Sequence, residues 1–330
     1  MVARRVRIVT AFHSPFYTPV YVARRLGAFA DEGLDVELIA PGEAGMTPDL
    51  LARGEADLAV SGPMRSYVAA DRTPPRWLLS IAEVNSRDGF LLLARNPVHD
   101  FRWTDLVGKR VVVFAEAPTP WMCLLDVLRA HGVDPASISV TRDLPVPRAL
   151  EAFVRGDTDY LETGQPIAEE LLEDGTAHLA AAMGEAVGRI PYSSLIVAAE
   201  TRKARPQLCE VAVRALARAQ RWMAGVEPDT IADLIAPDFP AIRLPTLGKV
   251  VARYQKMGTW PAQPVLARGP FERLGRILVA GGLIHRAAPF EALADNTFAE
   301  AAVRALNAGA LARARGIAVP AEAMPLEVKR

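Results

Sequence analysis

Cysteine is scarce in this chain of 330 residues, which carries only Cys123 and Cys209. Two thiols are too few for a disulfide framework, a zinc ribbon or a CxxC redox pair. The five histidines (His13, His99, His131, His178 and His285) show none of the close spacings that metal sites use. Charge of one sign is missing as well. Thirty-eight basic residues balance thirty-eight acidic ones, which argues against a surface built to wrap nucleic acid or adhere to anionic lipid. Long hydrophobic runs are absent near the start. The longest uncharged stretch there, residues 8–23, holds two prolines and several polar groups, so it is no transmembrane helix. These gaps exclude collagen, coiled coil, small disulfide scaffold and structural zinc protein. What is present is a 51% hydrophobic, 23% charged chain, able to bury a sizeable core and long enough for two domains.

The basic start, with Arg4, Arg5 and Arg7, looks like the first part of a secretion signal. Only Ile8 to Phe12 follow before His13, Ser14 and Pro15, whereas such a signal needs roughly 7–15 apolar residues and a small-residue cleavage site. The expected location is therefore the periplasm if a leader has been removed, and the cytoplasm if the chain is complete as written.

A hidden doubling organises the sequence. Residues 51–63 and 153–166 both obey Arg-Gly-acid-x-Asp-apolar-x-x-hydroxyl-Gly, around Arg53, Gly54, Asp57 and Gly62 in one copy and Arg155, Gly156, Asp159 and Gly164 in the other. The pattern predicts a helix ending on a glycine, a tight acidic turn, a short buried strand and a glycine at the strand's carboxyl end. Upstream, the elements recur in the same order. In the first copy a strand over 6–12 leads through a loop to a helix over 20–29 and a strand over 34–39. In the second, a strand over 110–114 leads to a helix over 121–130 and a strand over 138–141. Strand, loop, helix, strand, helix, strand occurring twice implies two α/β lobes, each a mostly parallel sheet flanked by helices. Extended runs over 76–84 and 89–95, and a strand over 189–198, place the chain crossings near 95–98 and 194–199. Lobe 1 is then 1–96 and 197–330, and lobe 2 is 97–196. After Pro206 only helical patterns remain, over 207–224, 230–235, 247–257, 271–279 and 290–306, forming a helical C-terminal tail. Two parallel crossings make a hinge, so closure around a ligand is the expected motion.

Three stretches carry a family resemblance: residues 15–37, residues 51–63, and Asp105-Leu-Val-Gly-Lys-Arg-Val-Val-Val-Phe114. In that order and at those separations they resemble the NMT1/THI5-like family of solute-binding proteins, over roughly residues 6 to 200. The resemblance implies a two-lobed periplasmic-binding-protein-like (type II) α/β fold with the ligand between the lobes. It also implies an ABC permease as partner. The family's fungal pyrimidine synthases carry a cysteine-rich motif; this chain has none, so that role is not carried over.

In open α/β sheets, ligands sit beyond the carboxyl ends of the strands. Four loops, at 12–19, 61–67, 115–121 and 162–166, should therefore share one cleft. Loop one offers Phe12, His13, Phe16 and Tyr17, whose rings can stack on a flat heterocycle; packing of Phe16 and Tyr17 under the next helix is the alternative. Loop two offers Ser61, Gly62 and Arg65, suited to a carboxylate, sulfonate or phosphate. Helix capping by Ser61 and a surface pair for Arg65 are the alternatives. Loop three adds Thr119, expected as a helix cap, and Trp121, expected as a stacking plate or as core. Loop four adds Glu162 and Gln165, with Glu162 standing where the first copy has Val60. Tyr192 lies beside the return crossing. Neither cofactor nor metal is called for. The expected function is capture of a small polar or heteroaromatic molecule (pyrimidine-like, sulfonate or aromatic carboxylate), with no nucleic acid and no membrane insertion. The alternative is a cytosolic lyase- or desulfinase-like enzyme on the same scaffold, for which Cys123 and His13 are the candidate pair. A cytosolic sensor is a third class.

Overall fold

The computed structural model describes residues 4–40, 42, 44–72, 77–314 and 326; Arg76 and the first three residues, which the sequence reading included, lie outside them. Among these described residues ten strands form two sheets. They are β1 (Arg4–Thr10), β2 (Leu34–Ile39), β3 (Leu58–Ser61), β4 (Leu78–Asn85), β5 (Leu91–Ala94), β6 (Arg110–Val112), β7 (Ser139–Thr141), β8 (Tyr160–Thr163), β9 (His178–Ala182) and β10 (Ser193–Ala198). The first sheet runs β2-β1-β3-β10-β4 and the second β7-β6-β8-β5-β9. The doubling is thus a doubling of topology. In each sheet the three strands of one repeat pair in parallel, and the fourth strand runs antiparallel to them. The sheets are mixed because that fourth strand arrives from the other sheet, β5 directly from β4 and β10 from β9 through the short helix Met183–Val187.

Side chains alternate across each sheet, as a strand with helices on both faces requires. Leu58 and Val60 join the large central core, while Ala59 faces a smaller outer cluster with Val9 and Ile196. Likewise Leu92 turns to the central core, and Leu91 and Leu93 turn to the cluster that holds Phe153 and Leu171.

The acidic turn of the repeated motif has a physical reason. Asp57 accepts the Arg7 backbone N–H on its carboxylate at 2.8 Å and donates its own N–H to the Arg7 carbonyl at 2.9 Å. Asp159 does the same with Arg110, at 2.9 Å in both bonds. Each aspartate clamps the strand pair that opens its repeat. Gly54 and Gly156 take the left-handed conformation that ends the preceding helix, at φ +67° and +88°.

Several boundaries move. The first strand covers Arg4–Thr10, and the helix expected over 20–29 is two helices, Thr18–Arg25 and Ala28–Asp31, divided at Gly27 with φ +73°. The crossings expected near 95–98 and 194–199 fall instead at 86–90 and 183–192, because Leu91–Ala94 pairs in the second sheet and Ser193–Ala198 in the first. These two connections are laced together. The Ile190 N–H donates to the Ser86 carbonyl at 3.1 Å, Tyr192 to Asn85 at 2.8 Å, and Met183 to Phe90 at 3.0 Å.

The tail is helical, as expected, and it touches both halves. Helix Pro206–Met223 lies on the first half, with Arg214 on Glu32 at 2.6 Å and Arg218 on Asp31 at 3.0 Å. Helix Leu244–Lys256 is fixed to helix Ile167–Glu173 of the second by Arg253 and Glu169 at 2.6 Å. Helix Arg268–Ala280 packs against Met64–Asp71 and Thr119–Ala130 together. Among the described residues no helix is long and apolar enough to cross a membrane.

Two outcomes follow for stability. A methyl at Gly184 would collide with the Asp88 backbone carbonyl of the facing connection, so Gly184→Ala should cost about 1–3 kcal/mol. Asp57→Ala and Asp159→Ala should each cost about 1–3 kcal/mol, with Asp57 the larger since its ion pair with Arg205 is less exposed than that of Asp159 with Arg110. Denaturant midpoints with unchanged slopes would check both.

Candidate functional site

All four expected loops meet. They surround a cavity of about 250 Å³ between the two sheets, lined by Phe12, His13, Phe16, Tyr17, Ser61, Gly62, Arg65, Thr119, Gln165 and Tyr192 from the sequence reading. Ser193 lines it beside Tyr192, and residues that reading did not single out line it too, among them Met64, Gly89, Phe90, Phe114, Glu116 and Tyr254. Phe114 lies two residues past β6 and obeys the same strand-end rule that found the loops. Tyr254 comes from the tail, and no local pattern announces it.

Loop one is pinned through its backbone. The Phe16 carbonyl accepts from Asn85 Nδ2 at 2.7 Å and from Trp260 Nε1 at 2.9 Å. Phe16 and Tyr17 are buried, and both also line the cavity. Aromatic contacts continue around the wall. Phe16 meets Tyr192 at 5.7 Å and Tyr254 at 5.6 Å between ring centres, and Phe114 meets Phe90 at 4.9 Å and Phe12 at 5.6 Å. His13 is exposed at the mouth, with its ring against Phe239 and Tyr21.

Loop two supplies the charge. Ser61 is fully buried and does not cap the following helix, whose cap is Pro63; its Oγ instead accepts from Arg65 Nε at 2.9 Å. Arg65 makes no ion pair among the described residues, and burial lowers its affinity for its proton. The guanidinium thus faces a mostly apolar cavity with donors to spare. Thr119 lines the wall but is the first residue of its helix, and Pro118 holds the cap position.

Two site residues are corrected. Trp121 does not line the cavity; its ring lies under the Arg142 guanidinium, 4.9 Å away, on a neighbouring open groove. Helical side chains turn about 100° per residue, so Thr119 and Pro120 facing the cavity carry Trp121 out of it. Glu162 does not line it either. It takes the core position of its twin Val60 and is 1% exposed beneath the floor. Burial, then the nearby Asp88, push its carboxyl well above the ordinary range. Asp88, fully buried on the first connection, is pushed up to about 7 by burial, against the Phe90 N–H donated to it at 2.8 Å. Cys123 sits beside Asp88 as a buried thiol with a raised pKa, and His13 is engaged elsewhere, so the Cys–His pair is not formed. Among the described residues no cluster of three or more metal-ligating side chains occurs.

The two-sheet α/β arrangement, with a cavity between the sheets and a helical tail, is the periplasmic-binding-protein-like fold. The NMT1/THI5-like family profile matches residues 14–230, and the chain belongs to that family. It is 26% identical over 297 residues (90% of this chain, 89% of the relative) to YtlA of Bacillus subtilis (strain 168), named as a candidate binding protein. Among solved structures it is similar to the alkanesulfonate-binding protein SsuA from Xanthomonas axonopodis pv. citri bound to MOPS. The TM-score is 0.68 at 17% identity, covering 85% of this chain and 94% of that one. It is similar also to the desulfurization enzyme DszB in complex with biphenyl-2-sulfinic acid, with TM-score 0.68 at 15% identity, covering 92% and 99%.

The buried acid has a pH signature. A carboxyl whose folded-state pKa is raised contributes its stability below the ordinary carboxylate range and loses it as pH climbs through about 7. Wild type should therefore lose stability between pH 5 and pH 8, and Asp88→Asn should lose less, as read by denaturation at the two pH values.

Proposed function

We propose that this chain captures a small organic anion with a flat, apolar body, and that the halves built on its two sheets are lobes hinged at 86–90 and 183–192. The observation that carries this reading is Arg65, a largely buried guanidinium without an acid partner among the described residues, set in an aromatic wall. Burying a charge without a counter-charge is costly, and a ligand carboxylate or sulfonate supplies one. The Arg65 fork suits two anionic oxygens, with Ser61 holding its Nε and the aromatic wall taking the body. The molecules bound in the SsuA and DszB structures, MOPS and biphenyl-2-sulfinic acid, support the same chemistry. The partner implied is the permease of an ABC importer, which would recognise the closed form. The enzymatic alternative needs an activated thiolate, and Cys123 is the opposite, buried beside Asp88 with its pKa raised.

A thermal-shift and calorimetry panel of benzoate, benzenesulfonate and an uncharged pyrimidine tests this. A true ligand at 100 times its Kd adds about 2.7 kcal/mol to stability. Arg65→Gln should weaken anion binding by about 2–5 kcal/mol, and Trp121→Ala should leave it within about twofold. Anion binding unchanged by Arg65→Gln, or preference for the uncharged ring, would reject the anion reading.

A further inference from the structure

Beside the cavity lies a group of polar side chains, of which Tyr192 alone lines it. Asp88 comes from the first connection and Tyr192 ends the second; Glu162 lies within β8 and Cys123 belongs to helix Thr119–Ala130. Asp88 is 0% exposed and Glu162 1%. Asp88 Oδ2, both Glu162 carboxyl oxygens and the Tyr192 hydroxyl make no well-formed hydrogen bond. The groups that act on this cluster are its own four members, with Tyr17, Tyr254 and Asp126 at its edge; Asp126 is paired with Arg273 at 3.1 Å and Tyr17 lies in the field of Arg65, while neither Asp88 nor Glu162 forms an ion pair among the described residues. The nearest ion pair along the connections, Glu83 with Arg189 at 2.9 Å, is closed on itself.

Two carboxyl groups sealed from water without a cation cannot both be ionised in this arrangement. Some of the charge must be removed by protons, or the arrangement must open. The cluster sits where the halves join, since two of its members belong to the two connections and two to the second half. On the hinged-lobe reading, rotation about the connections would move Asp88 and Tyr192 against Glu162 and Cys123 and admit water to the acids. We propose that the carboxyl pair Asp88 and Glu162 is a proton-driven latch: protonated, it holds the two halves together; ionised, it lets them part. The inference rests on the hinged-lobe reading above and adds to it that closure takes up protons. Its sign follows from linkage. Acids that ionise more readily when open favour the open form as pH rises, by about tenfold in the open-to-closed ratio per pH unit and per proton, until the closed form ionises too.

Small-angle X-ray scattering of the ligand-free full chain from pH 5 to pH 9 tests this, read beside the infrared C=O band of neutral carboxyl groups and near-ultraviolet circular dichroism. The expected result is a radius of gyration that rises with pH as the neutral-carboxyl band fades, with tertiary packing retained. Asp88→Asn combined with Glu162→Gln keeps the uncharged shape and should stay compact throughout. Glu162→Gln alone, expected to weaken the pH response, serves if the double variant fails to fold. A fading band with no change in size would overturn the latch, as would size and band both constant to pH 9. So would a pH-dependent size that survives in the variants, or loss of tertiary packing in step with the rise in size. The calorimetric panel separates the two readings: probe binding with a size independent of pH defeats the latch and spares capture, whereas a pH-driven change in size without binding of any probe spares the latch and defeats the anion reading.

Discussion

The molecule depends on one bond made twice: a turn aspartate clamping the backbone of its neighbouring strand. Asp57 on Arg7 and Asp159 on Arg110 tie the third strand of each repeat to the first. With that pairing fixed, the carboxyl ends of both strands stand at the same edge of the sheet. The loops that follow must then emerge side by side, and two such edges facing each other leave a single cavity. The repeated Arg-Gly-acid-x-Asp signature is therefore a device for aiming loops rather than a binding motif.

On this doubled frame the two repeats have diverged where it matters. The first presents Ser61 and, one helical turn on, the cation Arg65. At the position of Val60, which is core in the first repeat, the second carries Glu162. One side of the cleft is positively charged at its surface, and the other is acidic beneath its floor. Keeping the acid neutral leaves the Arg65 field available to a ligand, whereas an ionised pair below the floor would oppose an incoming anion.

Much of this arrangement was legible in the sequence. Glycines that end helices, β-branched strands and the repeated turn are local, and local rules found them. The four loops followed from the strand-end rule, and most of their expected side chains do line the cavity. Trp121 was misplaced because a loop boundary set two residues late hid the helical rotation that turns it away. Glu162 was misplaced although its alignment with Val60 already pointed inward, since a carboxylate reads as a surface group unless burial is known. The crossings were misplaced because Leu91–Ala94 and Ser193–Ala198 look like any apolar strand, and only pairing shows which sheet owns them. Tyr254 and Trp260 could not be found locally at all: they reach loop one from the tail.

That last contact has a consequence for how such proteins can be recombined. Tyr254 touches Phe16 of the first half and lies against the Gln165 backbone of the second, while its neighbour Arg253 is bonded to Glu169. A chimera that took only one repeat from a relative would set foreign loops against a native tail residue. New specificity on this scaffold has to be transplanted as loop and tail helix together.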